Sequence, residues 1–185
     1  MKSENISSKI NNWLEQIDQI TRRFHETFGE LTEEQLNQKP NKQTWSIAQN
    51  MEHLIIINES YFPLLEKLRK KTYKVSFIGQ SGFITKLMGK LMLKSVNPDR
   101  KKKIKTFEIW KPTSEKIITD ILREFEFHQG ELKEQIMESA TLLQKKTIIA
   151  SPANKNIVYP LETAFELLIT HEKRHYQQAK EVLKK

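Results

Sequence analysis

The chain has 185 residues, 37% of them hydrophobic, enough to enclose one core, and it reads as a single domain over 1–185. With no cysteine, disulfides, thiolate metal ligands and a cysteine nucleophile are excluded. The net charge of +8 keeps an anionic partner in view, while no stretch approaches the roughly 18 apolar residues of a membrane span and the N-terminus lacks the apolar run of a leader, so a cytoplasmic location is expected.

The first predicted helix runs from about Ser3 to Phe28. Its apolar positions Ile6, Ile10, Trp13, Ile17, Ile20, Phe24 and Phe28 recur at three and four, and Gly29 ends it. Thr32 with Gln35 spells a capping box that opens a short helical turn, and Lys39-Pro40-Asn41 breaks the chain again. Ser46 with Gln49 is a second capping box. It starts a helix through Ile47, Met51, Leu54, Ile57, Tyr61, Leu65 and Leu68 to about Lys71, with Pro63 inside it. A third helix is expected from near Thr113, with the face Ile117, Ile121, Phe125, His128, Leu132 and Ile136. A fourth starts at Pro160 and reaches nearly to the end.

Between the second and third long helices lies a basic connection, 72–112, long for a compact domain. Its segment Phe83 to Lys94 carries Lys86, Lys90 and Lys94 on one side and Phe83, Leu87 and Leu91 on another, and the basic run Arg100 to Lys103 follows. The plain reading is a cover helix that buries the three apolar residues against the bundle. A basic amphipathic helix at a membrane surface, a surface that binds nucleic acid through its phosphates, and a lid over an anionic co-substrate are the alternatives. The expected architecture is all-α: a four-helix bundle, up-down-down-up, with the long connection carrying the chain back between helices two and three.

The fourth helix holds the chemistry. Its inward positions are Leu161, Ala164, Phe165, Leu168, His171, His175, Ala179 and Val182, so two imidazoles occupy slots where a core wants leucine. Residues four apart stack on one face, about 5–6 Å apart at Cβ, and a divalent metal would satisfy both rings. His171-Glu172-Lys173-Arg174-His175 also spells the zinc-protease pattern His-Glu-x-x-His. That pattern needs a third ligand downstream, and only ten residues without a histidine follow, so the protease reading is set aside. The third ligand then comes from upstream, where His25, His53 and His128 are candidates. If helices two and four are antiparallel neighbours, His53 near the start of one faces the pair near the end of the other. His128 lies roughly 10–12 Å off that level. His25 and His128 read as satisfied core or boundary histidines.

The segments Leu31-Thr32-Glu33-Glu34-Gln35-Leu36, Trp45 to Leu54 and His171 to Gln178 together resemble the DinB/YfiT-like superfamily, most of all its DinB-like (DinB_2) branch. The resemblance covers nearly the whole chain. It implies a divalent metal at one end of a four-helix bundle, held by His53, His171 and His175. It further implies a metal-dependent enzyme, since family members include thiol S-transferases using low-molecular-weight thiols.

Three neutral imidazoles favour zinc or nickel and leave a position for water or substrate. The expected chemistry is thiol S-transferase-like, with a small thiol as co-substrate attacking a small electrophile, or hydrolysis. Glu172 is the nearest candidate base, although on a straight helix it points about 100° from His171, and the competing reading is a solvent-facing residue. Asn50 and Gln178 are candidates to orient ligands or substrate. Apolar residues on helices one and three would serve a homodimer. Nucleic acid is not the expected partner, because no recognised motif accompanies the basic residues. Two other classes compete: a non-catalytic metal- or ligand-binding stress protein, and a basic DNA- or membrane-associated module.

Overall fold

The structure, a computed structural model, describes residues 2–74, 79, 81–99, 105–112 and 117–184. Four long helices enclose the core: α1 (Lys2–Phe28), α3 (Ile47–Arg69), α5 (Ile121–Glu138) and α7 (Leu161–Val182). The apolar positions of α1 from Ile10 to Phe28 are all buried, as its periodicity requires. Gly29 closes that helix by donating to the His25 carbonyl at 2.8 Å, and a Cβ there would lie 2.6 Å from the same oxygen. Both capping boxes form, Thr32 opening the short α2 (Glu33–Asn37) and Ser46 opening α3.

Cross-helix contacts fix the directions. Trp13 packs on Phe165 and Thr27 bonds to Tyr176, so α1 and α7 run the same way. Phe24 meets Phe125 while Lys133 reaches back to Asp18, so α5 opposes α1. Asn50 bonds to His175 and Asn58 to Glu172, so α3 opposes α7.

The expected all-α four-helix bundle does not hold. Among the described residues there are also α4 (Gly82–Val96), a 3-10 turn over Glu108–Trp110, α6 (Ala140–Gln144) and an antiparallel hairpin of β1 (Ile148–Ser151) and β2 (Asn154–Pro160). The hairpin follows from β-branched Ile148, Ile149, Ile157 and Val158 on either side of a Pro152-Ala153 turn, two short apolar runs without helical periodicity. It pairs Ile149 with Tyr159 and Ala150 with Val158, with a register shift after Ala150. Ile149, Val158 and Tyr159 are buried against the helices. Pro160 is the residue before α7 rather than its first, and α5 starts at Ile121, which leaves Ile117 exposed instead of in the core. Thr113 lies outside the described residues, as does the basic run Arg100 to Lys103.

The connection 72–112 is also built differently from the cover helix expected. In α4 the buried residues are Thr85 and Gly89, whereas Phe83, Leu87 and Leu91 are exposed. Helix α4 packs on α7 and β2 through its small residues: a Cβ on Gly89 would meet the Thr163 methyl at 3.1 Å. Arg174 of α7 completes the attachment by donating to the carbonyls of Ser95 and Asn97 at the end of α4, where helix carbonyls lack partners. With α1, α3, α4 and α6 all against it, α7 is buried on most of its circumference.

Candidate metal centre

His53 sits about two turns into α3, a position fixed by the Ser46 cap. His171 and His175 lie one turn apart on α7, and because α7 opposes α3 the three rings converge. Ring centroids are 4.6 Å apart for His53 and His175, 5.2 Å for His53 and His171, and 4.4 Å for His171 and His175. One nitrogen from each ring falls within 4.8 Å of the other two. His53 and His175 are buried and His171 is half-buried.

The outward nitrogens set the chemistry of the inward ones. Nδ1 of His53 faces the Trp110 carbonyl, which can only accept, so Nδ1 carries the proton and Nε2 the lone pair. Nδ1 of His175 lies 2.8 Å from Oδ1 of Asn50. The Asn50 amide is oriented by its Nδ2, which donates to the Ser46 carbonyl at 2.8 Å, so its oxygen faces the ring. His175 Nε2 is thereby left as an acceptor, 3.0 Å from Nε2 of His171, whose own Nδ1 is buried without a partner. These are second contacts of the kind that orient metal-ligating histidines. Trp45, the residue before the α3 cap, lies against His53 at 4.7 Å and is stacked on His175 at 5.8 Å.

Burial keeps the rings uncharged. It lowers His53 to about 4, against the opposing pull of the Trp110 carbonyl. His171 and His175 are held well below the usual imidazole range by burial, by neighbouring rings and by the Arg174 guanidinium. A set of neutral nitrogen donors is the form that binds a divalent transition metal, and zinc–nitrogen bonds of about 2.0–2.1 Å fit nitrogens this close.

The chain matches the DinB superfamily model over residues 16–179, which includes all three histidines. The chain belongs to the DinB superfamily. No curated protein and no solved structure matches it. In this DinB-superfamily chain the cluster of His53, His171 and His175 has the composition and burial of a metal site.

Asn50 touches the triad through His175. Gln178 is half-buried three residues further along α7 and makes no hydrogen bond to the rings. Glu172 is fully buried, which overturns its reading as a solvent-facing residue. Its carboxylate lies outside the group of converging donors and accepts from Nδ2 of Asn58 at 2.8 Å, and burial raises it to about 7. Sequence reasoning missed Trp110, whose carbonyl anchors His53 from 57 positions away and whose indole donates to Ser60 at 3.1 Å. It also assigned no role to Trp45, although that residue stands in the same segment as His53. Among the described residues, no helix is long and apolar enough to cross a membrane.

Proposed function

We propose that His53, His171 and His175 hold one divalent transition metal, zinc or nickel, and that the protein is a metal-dependent enzyme acting on a small molecule by thiol S-transferase-like or hydrolytic chemistry. The observation that carries this reading is the anchoring of Nδ1 of His53 and of His175 by the Trp110 carbonyl and the Asn50 amide, which puts the lone pair of each ring on Nε2. When bound, the metal would acidify a thiol or water that it ligates. With no cysteine in the chain, a sulfur nucleophile comes from a co-substrate. The chain's own residues supply orientation. Asn50 and Trp110 fix two tautomers, and Trp45 covers one side of the pair of rings. Glu172, turned to Asn58, positions α7 against α3 in this reading instead of exchanging protons with substrate.

The test is metal content by elemental analysis of wild type and His171→Ala, followed by turnover of an activated aryl halide with low-molecular-weight thiols. Loss of one transition metal per chain on going from wild type to the variant, with thiol-dependent turnover by wild type, supports the reading. Equal metal content in the two proteins overturns the site. Metal without turnover of thiol or ester substrates leaves a metal-binding protein.

A further inference from the structure

Among the described residues one other group of ligand-type side chains comes together, away from the triad: Glu59 on α3 with His128 and Glu131 on α5. His128 and Glu131 are three apart and share a helix face, and α3 packs directly on α5. Nδ1 of His128 stands 3.9 Å from Oε1 of Glu59 and 3.9 Å from Oε2 of Glu131, and the three donor atoms all lie within 4.8 Å of one another. At 3.9 Å neither carboxylate is hydrogen-bonded to the ring.

His128 makes this more than an acidic cluster. The residue is 2% exposed, and neither ring nitrogen has a hydrogen-bond partner. An imidazole enclosed in this way is costly unless something satisfies it. Stacking on Phe62, with centroids 5.6 Å apart and planes 16° apart, fixes the ring with Nδ1 toward the two carboxylates. Burial lowers the ring to about 4, so at neutral pH it gives the carboxylates no countercharge. Glu59 is raised above the usual carboxylate range by its partial burial and by the charge of Glu131. A lone pair and two mutually repelling carboxylates facing one point are a donor set for a cation.

We infer that Glu59, His128 and Glu131 form a second divalent-cation site, with one nitrogen and two oxygen ligands, that takes Mn2+ or Zn2+ and clamps α3 to α5. One imidazole suits a first-row metal, and two carboxylates admit the harder Mn2+. Metal–ligand bonds of about 2.0–2.2 Å require the donors to close by a fraction of an ångström. The two carboxylates, with side chains 54% and 44% exposed, are free to rotate to do so.

The test is Mn2+ titration of the full chain, followed by loss of the free-ion electron paramagnetic resonance signal, in wild type, Glu59→Gln/Glu131→Gln and His171→Ala. The expected result is saturable Mn2+ uptake that the double variant lacks and His171→Ala keeps at one equivalent per chain. Mn2+ should also raise the melting temperature of wild type and of His171→Ala, and leave that of the double variant unchanged. The two glutamates are partly exposed, so their replacement leaves the fold intact, which circular dichroism checks. Absence of Mn2+ uptake by His171→Ala, or equal uptake by wild type and the double variant, overturns the inference. Because His171→Ala removes only the triad, failure of the triad reading and failure of this one give different results.

Discussion

Asn50 on α3 accepts a hydrogen bond from Nδ1 of His175 on α7 at 2.8 Å, and its own amide nitrogen is tied to the Ser46 carbonyl at the helix cap. The cap that starts α3 therefore also determines which nitrogen of His175 faces the other two histidines. Helix initiation and ligand geometry depend on the same five residues of sequence, Ser46 to Asn50.

Replacing Asn50 by Ala should weaken metal binding by about 10–100-fold, the usual cost of removing a partner that orients a ligating histidine. Competition for zinc against a chelator of known affinity measures this. Unchanged affinity would show that His175 needs no anchor.

The long helices and the three histidines were legible because a 3.6-residue repeat and two capping boxes write them into the sequence. The pair of imidazoles in core slots was legible for the same reason. The hairpin was not, since four to seven residues carry little periodic signal. The packing of α4 was not legible either. Apolar residues were expected to face inward, but the close approach of α4 to α7 is made by Gly89 and Thr85, and small size does not show in a hydropathy pattern. The burial of Glu172 depends on how many neighbours surround α7, and helix spacing alone does not encode that number.

The packing of α4 has a direct check. Leu91 is 59% exposed, so Leu91→Ser should change stability by no more than about 0.5 kcal/mol. Gly89→Val should cost about 1–3 kcal/mol by pushing α4 away from Thr163. Urea denaturation of both variants gives the comparison. A larger loss for Leu91→Ser than for Gly89→Val would contradict this packing.

Tyr61 and Tyr159 share a buried hydrogen bond of 2.6 Å between α3 and β2. Burial raises both phenols above their ordinary value of 10.0, Tyr61 the further. The folded chain thus keeps protons that the unfolded chain gives up above about pH 10. Their contribution is complete below that pH and is lost as pH rises, by up to about 1.4 kcal/mol per pH unit for each tyrosine. Tyr61→Phe should cost about 1 kcal/mol at pH 7 and make the alkaline decline shallower. Stability curves at pH 8, 9, 10 and 11 test the slope, and parallel curves for the two proteins would refute it.

Glu172 gives the sharpest test of what the interior of α7 does. Its carboxylate accepts from Asn58, and Oε2 has no partner, in a layer that also holds the buried amide of Gln129. Glu172→Gln keeps the shape and an oxygen for Asn58 while removing an enclosed acid. Glu172→Ala leaves Asn58 without that acceptor and opens a cavity. With metal removed by chelator, the glutamine variant should be at least as stable as wild type, and the alanine variant should lose about 2–4 kcal/mol. If Glu172 only positions α7, the glutamine variant also keeps the turnover of the metal-loaded protein. A glutamine variant that folds and binds metal normally but loses turnover would instead make Glu172 a proton-transfer group and return it to the reaction itself.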